Sequence, residues 1–324
     1  MLRSGVGAVG SGGSADRKVR RLDRAEGLPG SGRLPRLRRR TGATAAGARA
    51  GLREQGMRGT RVLAVTFAAW ACAVGALGVV LALTLPKPGE RATTWMGFSL
   101  FVVWVVAGGA AQVRWRAPLS RLLSRVRMPW RLRFVALATA FALIEEAVTT
   151  TLTNLAPLFG APVGCGFITA SANYLDVVLG HSVIVFVPMF VVWAWMLGRW
   201  AFQPLDVLVL FGVTGWLAEV GTFGPQNLGM GGYWVCVYGL MVYVPARALP
   251  ERPVGLPRVT WARSLAAVFL PFALVPVTAG PVSVLHPYRH HWAYPAPPGC
   301  IERPPQRGDA DVPPLRPPAS EASR

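Results

Sequence analysis

Charge is scarce in this chain and unevenly signed. Only 15% of its 324 residues are charged, and Lys and Arg outnumber Asp and Glu by 34 to 15. So little charge, beside 52% hydrophobic residues and a mean hydropathy of +0.39, excludes a soluble domain of ordinary composition. Cysteine is equally sparse. The four cysteines, Cys72, Cys165, Cys236 and Cys300, show no CxxC or zinc spacing, which leaves no cysteine-built metal module. No Walker loop, strand-borne GxGxxG, HExxH helix or GxSxG elbow occurs, so the common nucleotide-binding, zincin and hydrolase templates have no foothold. Alternating barrel strands are absent as well, and in lipid only helices or closed barrels satisfy the backbone.

What the chain does have is long apolar runs. A bilayer core about 30 Å thick needs about 20 apolar residues of helix. Seven segments meet that need approximately: Val62–Leu85, Trp95–Val113, Phe134–Pro157, Val177–Gly198, Leu205–Phe223, Met230–Ala246 and Ser264–Val284. The expected fold is therefore all-α, a polytopic transmembrane helix bundle of about seven spans with disordered N- and C-terminal tails.

Basic residues orient it. RWRAPLSRLLSRVRMPWRLR, between the second and third spans, carries Arg114, Arg116, Arg121, Arg125, Arg127, Arg131 and Arg133, and such loops stay cytoplasmic. Counting outward puts the N-terminus inside and the nearly uncharged loops 158–176 and 224–229 outside, with the C-terminus external, in a multi-pass protein of the plasma or inner membrane. The net charge of +19 then reads as topology and lipid contact: the 114–133 segment, with its Leu119, Leu122, Leu123 and Val126, is expected on anionic lipid, not on nucleic acid.

Three domains follow from composition. Residues 1–56 hold 13 Lys and Arg against 4 Asp and Glu, are rich in Gly and Ala, and have no hydrophobic period, the signature of a disordered extension. Met57 begins a basic, then long apolar, stretch suited to a start of translation. Residues 57–285 form the transmembrane domain. Residues 286–324 are a Pro-rich extramembrane tail, whose His286, His290 and His291 suit only weak metal contact. Cys165 and Cys300 fall on the outer face, where a disulfide between them is open.

Inside the spans the ionisable groups away from the ends are Glu145, Glu146, His181 and Glu219. A charge at the centre of a membrane helix costs about 2.5 kcal/mol or more, so such groups are functional candidates by default. On the third span, with Glu145 at zero, Thr149 falls near ~40°, Thr153 near ~80°, Glu146 near ~100°, Thr150 near ~140° and Asn154 near ~180°. Half the helix is polar. The other half, Phe141, Ile144, Val148 and Leu152, suits lipid or packed neighbours. If the third, fourth and fifth spans are neighbours, a polar pocket opens toward the outer face, fringed by Asn173, Asp176 and Asn227, with GPQNLGMGG (224–232) as a lid or re-entrant turn.

A Glu-Glu pair followed one helix later by a His resembles the CAAX-protease and bacteriocin-processing family of intramembrane metal-dependent peptidases, whose pattern is EExxxR, then FxxxH, then a further His. Glu145 and Glu146 match the pair and His181 the first His; Thr150 replaces the Arg, Val177 the Phe, and no second intramembrane His exists. The resemblance implies a metallopeptidase-like hydrolase, with Glu145 and Glu146 catalytic. In that chemistry Glu146, His181 and Glu219 would hold zinc or manganese and Glu145 would serve as general base, with Glu219 a substitution for the missing His. Two other classes share the same residues: a proton- or cation-coupled transporter, for which mid-membrane carboxylates and the helix prolines Pro157, Pro188, Pro271 and Pro276 are apt, and a non-catalytic scaffold in which the polar groups only join helices.

Overall fold

A computed structural model describes residues 40–248, 253, 255–277 and 280; side chains are described from residue 59 onward, except that of Ser124. Residues 1–51 form a unit of their own, and everything below concerns the unit that begins at Leu52. The expected extension 1–56 lies outside the described residues as far as residue 39; from Arg40 the chain is helical, in an Ala- and Arg-rich stretch of good helix propensity. The tail 286–324, with its histidines and Cys300, also lies outside them.

The described residues contain helices and no strand. Helix α1 (Arg40–Thr84) leads through a short turn to α2 (Pro88–Leu100), which runs without a break into a π-helical stretch, Phe101–Gly108, and α3 (Gly109–Ser124). Then come α4 (Trp130–Asn154), α5 (Tyr174–Gly180), α6 (Val183–Leu197), α7 (Pro204–Phe223), α8 (Gly231–Arg247) and α9 (Trp261–Phe269). Among the described residues five helical stretches are long and apolar enough to cross a membrane: Gly59–Thr84, Pro88–Leu123, Trp130–Asn154, Pro204–Phe223 and Pro225–Arg247. The pair α5 and α6, bent by 42° at His181–Ser182, makes a sixth if it is one span. The chain is thus a polytopic helical membrane protein. The last expected span is seen as a shorter apolar helix, Trp261–Val277, and its remainder lies outside the described residues.

The core is aromatic and tight. Phe134, Phe190, Trp193, Phe202, Phe211 and Met241 are almost fully buried, while Val62, Val65, Leu83 and Ile144 face outward, as lipid-facing residues do. Helix α4 is central, packing on α2, α5, α6 and α8, and α7 with α8 forms the most extensive helix pair. Small residues permit that approach. A Cβ on Gly239 would stand 2.6 Å from the Leu208 carbonyl, and one on Gly212 or Gly215 would run into Val235 or Tyr238. Trp104, in the π-helical stretch, donates its indole N–H to the Val237 carbonyl of α8 at 3.0 Å, and Tyr233 of α8 donates to Gly97 of α2 at 3.0 Å.

One end of the bundle is marked by arginines. Arg114, Arg116, Arg121, Arg125, Arg127 and Arg131 are exposed there, but Arg133 turns inward at 4% exposure. Its guanidinium donates to the carbonyls of Val126 and Met128, both at 2.8 Å, and so fastens the turn between α3 and α4. At the same end Gly198 packs on Arg131, and Thr60 of α1 donates to Asp206 of α7 at 2.7 Å. Asp206 also accepts from the Gln203 backbone at 2.7 Å and caps α7.

Candidate functional site

Glu145 and Glu146 on α4, His181 after α5 and Glu219 on α7 stand at one depth. Each is about 15 residues, roughly 22 Å of helix, from the arginine-marked end. Glu145 and Glu146 are each 5% exposed; Glu219 and His181 are half-buried.

The carboxylates converge. Glu145 lies within electrostatic reach of both Glu146 and Glu219, and Glu219 of Glu146. Glu146 is met by hydroxyls: Thr149, one turn on, donates to Oε2 at 3.1 Å, Thr169 donates to the same oxygen at 3.2 Å, and Ser182 bonds to the carboxyl as well. Glu219 accepts from the hydroxyl of Tyr238 on α8. Tyr233 and Tyr238 both lie in the field of Glu145 and Glu219.

Two connections that the charge count places on the outer side fold into the bundle. The segment after α4 forms a short 3-10 turn at Ala156–Phe159 and passes Gly166 tightly against Thr93 and Gly89 of α2. It then descends until Thr169 reaches Glu146, two helical turns inside the end of α4. Asn154 holds it by donating to the Ala172 carbonyl at 2.8 Å, Thr153 accepts from Ile168 N–H at 3.4 Å, and Tyr174 donates to the Leu143 carbonyl at 3.0 Å. Likewise Pro225–Met230 folds back down α7: the Asn227 carbonyl accepts from Trp216 at 2.9 Å and its side chain from Trp234 at 3.1 Å. The segment expected as a lid or re-entrant turn, 224–232, contains a 3-10 turn, Pro225–Met230, continuous with α8 in the stretch Pro225–Arg247. Asn227 is buried beneath that turn, and its place at an open mouth is corrected accordingly. Irregular backbone at membrane depth is tolerated only where protein or a water-filled cavity surrounds it.

Between Tyr174 and Val183 the chain breaks helix at His181 and Ser182, and Ser182 begins α6 beside Glu146. A cleft of about 350 Å³ flanks this region, lined by Ala147, Thr150, Thr151, Asn154, Leu155, Ala172 and Tyr174. Cys165 is disulfide-bonded, to a partner outside the described residues, whereas Cys72 and Cys236 are free.

The four residues chosen from sequence thus share a depth, and three of them share a pocket. The structure does not assemble the expected metal set. Among the described residues no three His, Cys, Asp or Glu side chains are grouped so as to hold a metal ion, so Glu146, His181 and Glu219 do not form a three-ligand site. Sequence reasoning missed Thr169, Ser182 and Tyr238. The first two sit in irregular backbone without periodicity, and Tyr238 reads as an ordinary span aromatic; its signal was Gly215, whose missing side chain admits the ring. Compared with known proteins, the chain matches no family model, no curated protein and no solved structure.

Proposed function

We propose that this membrane protein binds protons at Glu145, Glu146 and Glu219 and couples that binding to transport. The observation that carries this reading is the meeting of three carboxylates from two helices at one depth, beside two connections that fold into the bundle and a broken helix. Three negative charges gathered away from water are costly unless protons or a cation neutralise them. Broken helices and irregular backbone at such a place supply hydroxyl and carbonyl ligands, and their joints allow movement. In vesicles containing the purified protein, an imposed proton gradient should dissipate faster than in empty vesicles, and Glu145→Gln, Glu146→Gln and Glu219→Gln should each abolish the excess. A proton flux equal to that of empty vesicles would refute it.

The contact of Ser182 with Glu146 favours a second reading, because it brings the neighbourhood of His181 to the Glu-Glu pair, as in the peptidase family resembled by sequence. As a hydrolase the protein would use Glu145 as base, and Glu146, His181 and Glu219 would have to close on an ion. About one divalent ion per purified chain, lost in His181→Ala, would select this reading over transport.

For orientation, the arginine-marked end is assigned to the cytoplasm of the plasma or inner membrane, with its exposed arginines on anionic lipid. A disulfide at Cys165, at the opposite end, fits an oxidising compartment there. The C-terminal tail lies outside if the segment containing Trp261–Val277 crosses.

A further inference from the structure

From the cleft beside α4 we infer that it is the aqueous entrance through which protons reach Glu146, and that Thr150 is the relay hydroxyl at its floor. The inference rests on the reading of the carboxylates as a proton-binding cluster. The cleft is lined by exposed Ala147, Thr151, Asn154 and Leu155 around a Thr150 that is only 5% exposed. Burying a hydroxyl without a partner costs about 1–3 kcal/mol, and such groups are rare. Yet Thr150 Oγ1 is buried with no hydrogen-bond partner among the described residues. Its neighbour shows the contrast: Thr149 Oγ1 is engaged with both the carbonyl and the carboxylate of Glu146.

Thr150 lies one turn beyond Glu146 on the same face, where side chains four apart stand about 5–6 Å between Cβ atoms. A hydroxyl accepts one proton and donates another, so it passes a proton from water in the cleft toward the carboxylate without becoming charged. Asn154, which also lines the cleft, is fixed there by its amide nitrogen, which donates to the carbonyls of Thr150 and Ala172. The lining contains no carboxylate or basic group, so it offers no ligand that would trap a metal or an anion before the pocket. It suits water.

The test follows exchange, not transport. Full-length protein in lipid is moved into D₂O, and deuteration of protonated carboxyl groups is timed through the infrared carbonyl stretch, whose Glu146 share is identified by its loss in Glu146→Gln. Thr150→Val, which keeps shape and removes the hydroxyl, should slow that exchange by about tenfold, equivalent to one lost relay hydrogen bond. Thr150→Ser should exchange at the wild-type rate. Ala147→Phe, which fills the cleft but keeps the Thr150 hydroxyl and all three carboxylates, should also slow it and serves if Thr150→Val does not fold. Wild-type exchange in Thr150→Val or Ala147→Phe, with the Glu146 band present, overturns the entrance while leaving the cluster reading intact. Absence of any carboxyl band sensitive to Glu145→Gln or Glu146→Gln overturns the cluster reading and the entrance with it.

Discussion

Replacing Gly215 with Ala should destabilise the protein by about 2 kcal/mol, and the reason lies in Tyr238. A methyl group at Gly215 would stand 2.7 Å from the Tyr238 Cβ and closer still to the ring. These are the near atoms of the side chain, so rotating the phenol cannot clear them; either α7 and α8 separate or Tyr238 leaves its rotamer. Overpacking of this kind costs about 1–3 kcal/mol, and the absence of slack argues for the upper end. Ala regains about 1 kcal/mol of helix propensity over Gly. Displacing the ring also breaks the Tyr238 bond to Glu219, an interhelical bond worth about 0.6 kcal/mol in a membrane. The net loss of about 2 kcal/mol is roughly a 30-fold change in the folding equilibrium, measurable by SDS titration in mixed micelles. In a Tyr238→Gly background the ring and the Cβ are both gone and only the propensity gain remains, so Gly215→Ala should there stabilise by about 1 kcal/mol, a coupling of about 3 kcal/mol. Additive effects in this double-mutant cycle would refute the packing argument.

Arg133→Gln should cost about 2 kcal/mol, because it withdraws the guanidinium nitrogen that donates to both the Val126 and the Met128 carbonyl, while Arg125→Gln at the exposed surface should stay within about 0.5 kcal/mol; equal losses would show that Arg133 acts only as charge. Trp104→Phe keeps the packing but removes the bond to Val237 and should lower stability by about 0.6 kcal/mol in the same titration, whereas an unchanged midpoint would mean that the π-helical stretch needs no such anchor. Reporter fusions after residues 90, 126, 165, 201 and 255 should read external, cytoplasmic, external, cytoplasmic and cytoplasmic; an external signal at 201 would make α5 and α6 a re-entrant pair and not a span.

Much of this was legible along the chain, and the physics explains why. Lipid imposes long apolar runs, so the spans ending near Thr84, beginning at Trp130 and covering Pro204–Phe223 announce themselves by composition alone. Hydrocarbon also makes ionisable residues expensive, so Glu145, Glu146, His181 and Glu219 stood out before any fold was known, and helical geometry put Thr149 and Thr150 on the face of Glu146. Tertiary structure alone decided what surrounds them. Thr169 and Asn227 belong to connections whose composition is that of surface loops; they enter the bundle because Asn154, Thr153, Trp216 and Trp234, on the helices that flank them, satisfy their backbone and side chains, contacts that no periodicity along the chain announces. The pairing of Glu219 with Tyr238 depends on how closely α7 and α8 approach, which small residues permit but do not specify. Whether Glu146, His181 and Glu219 meet as ligands turns on distances of a few ångströms between helices, and sequence spacing within one helix carries no information about those distances.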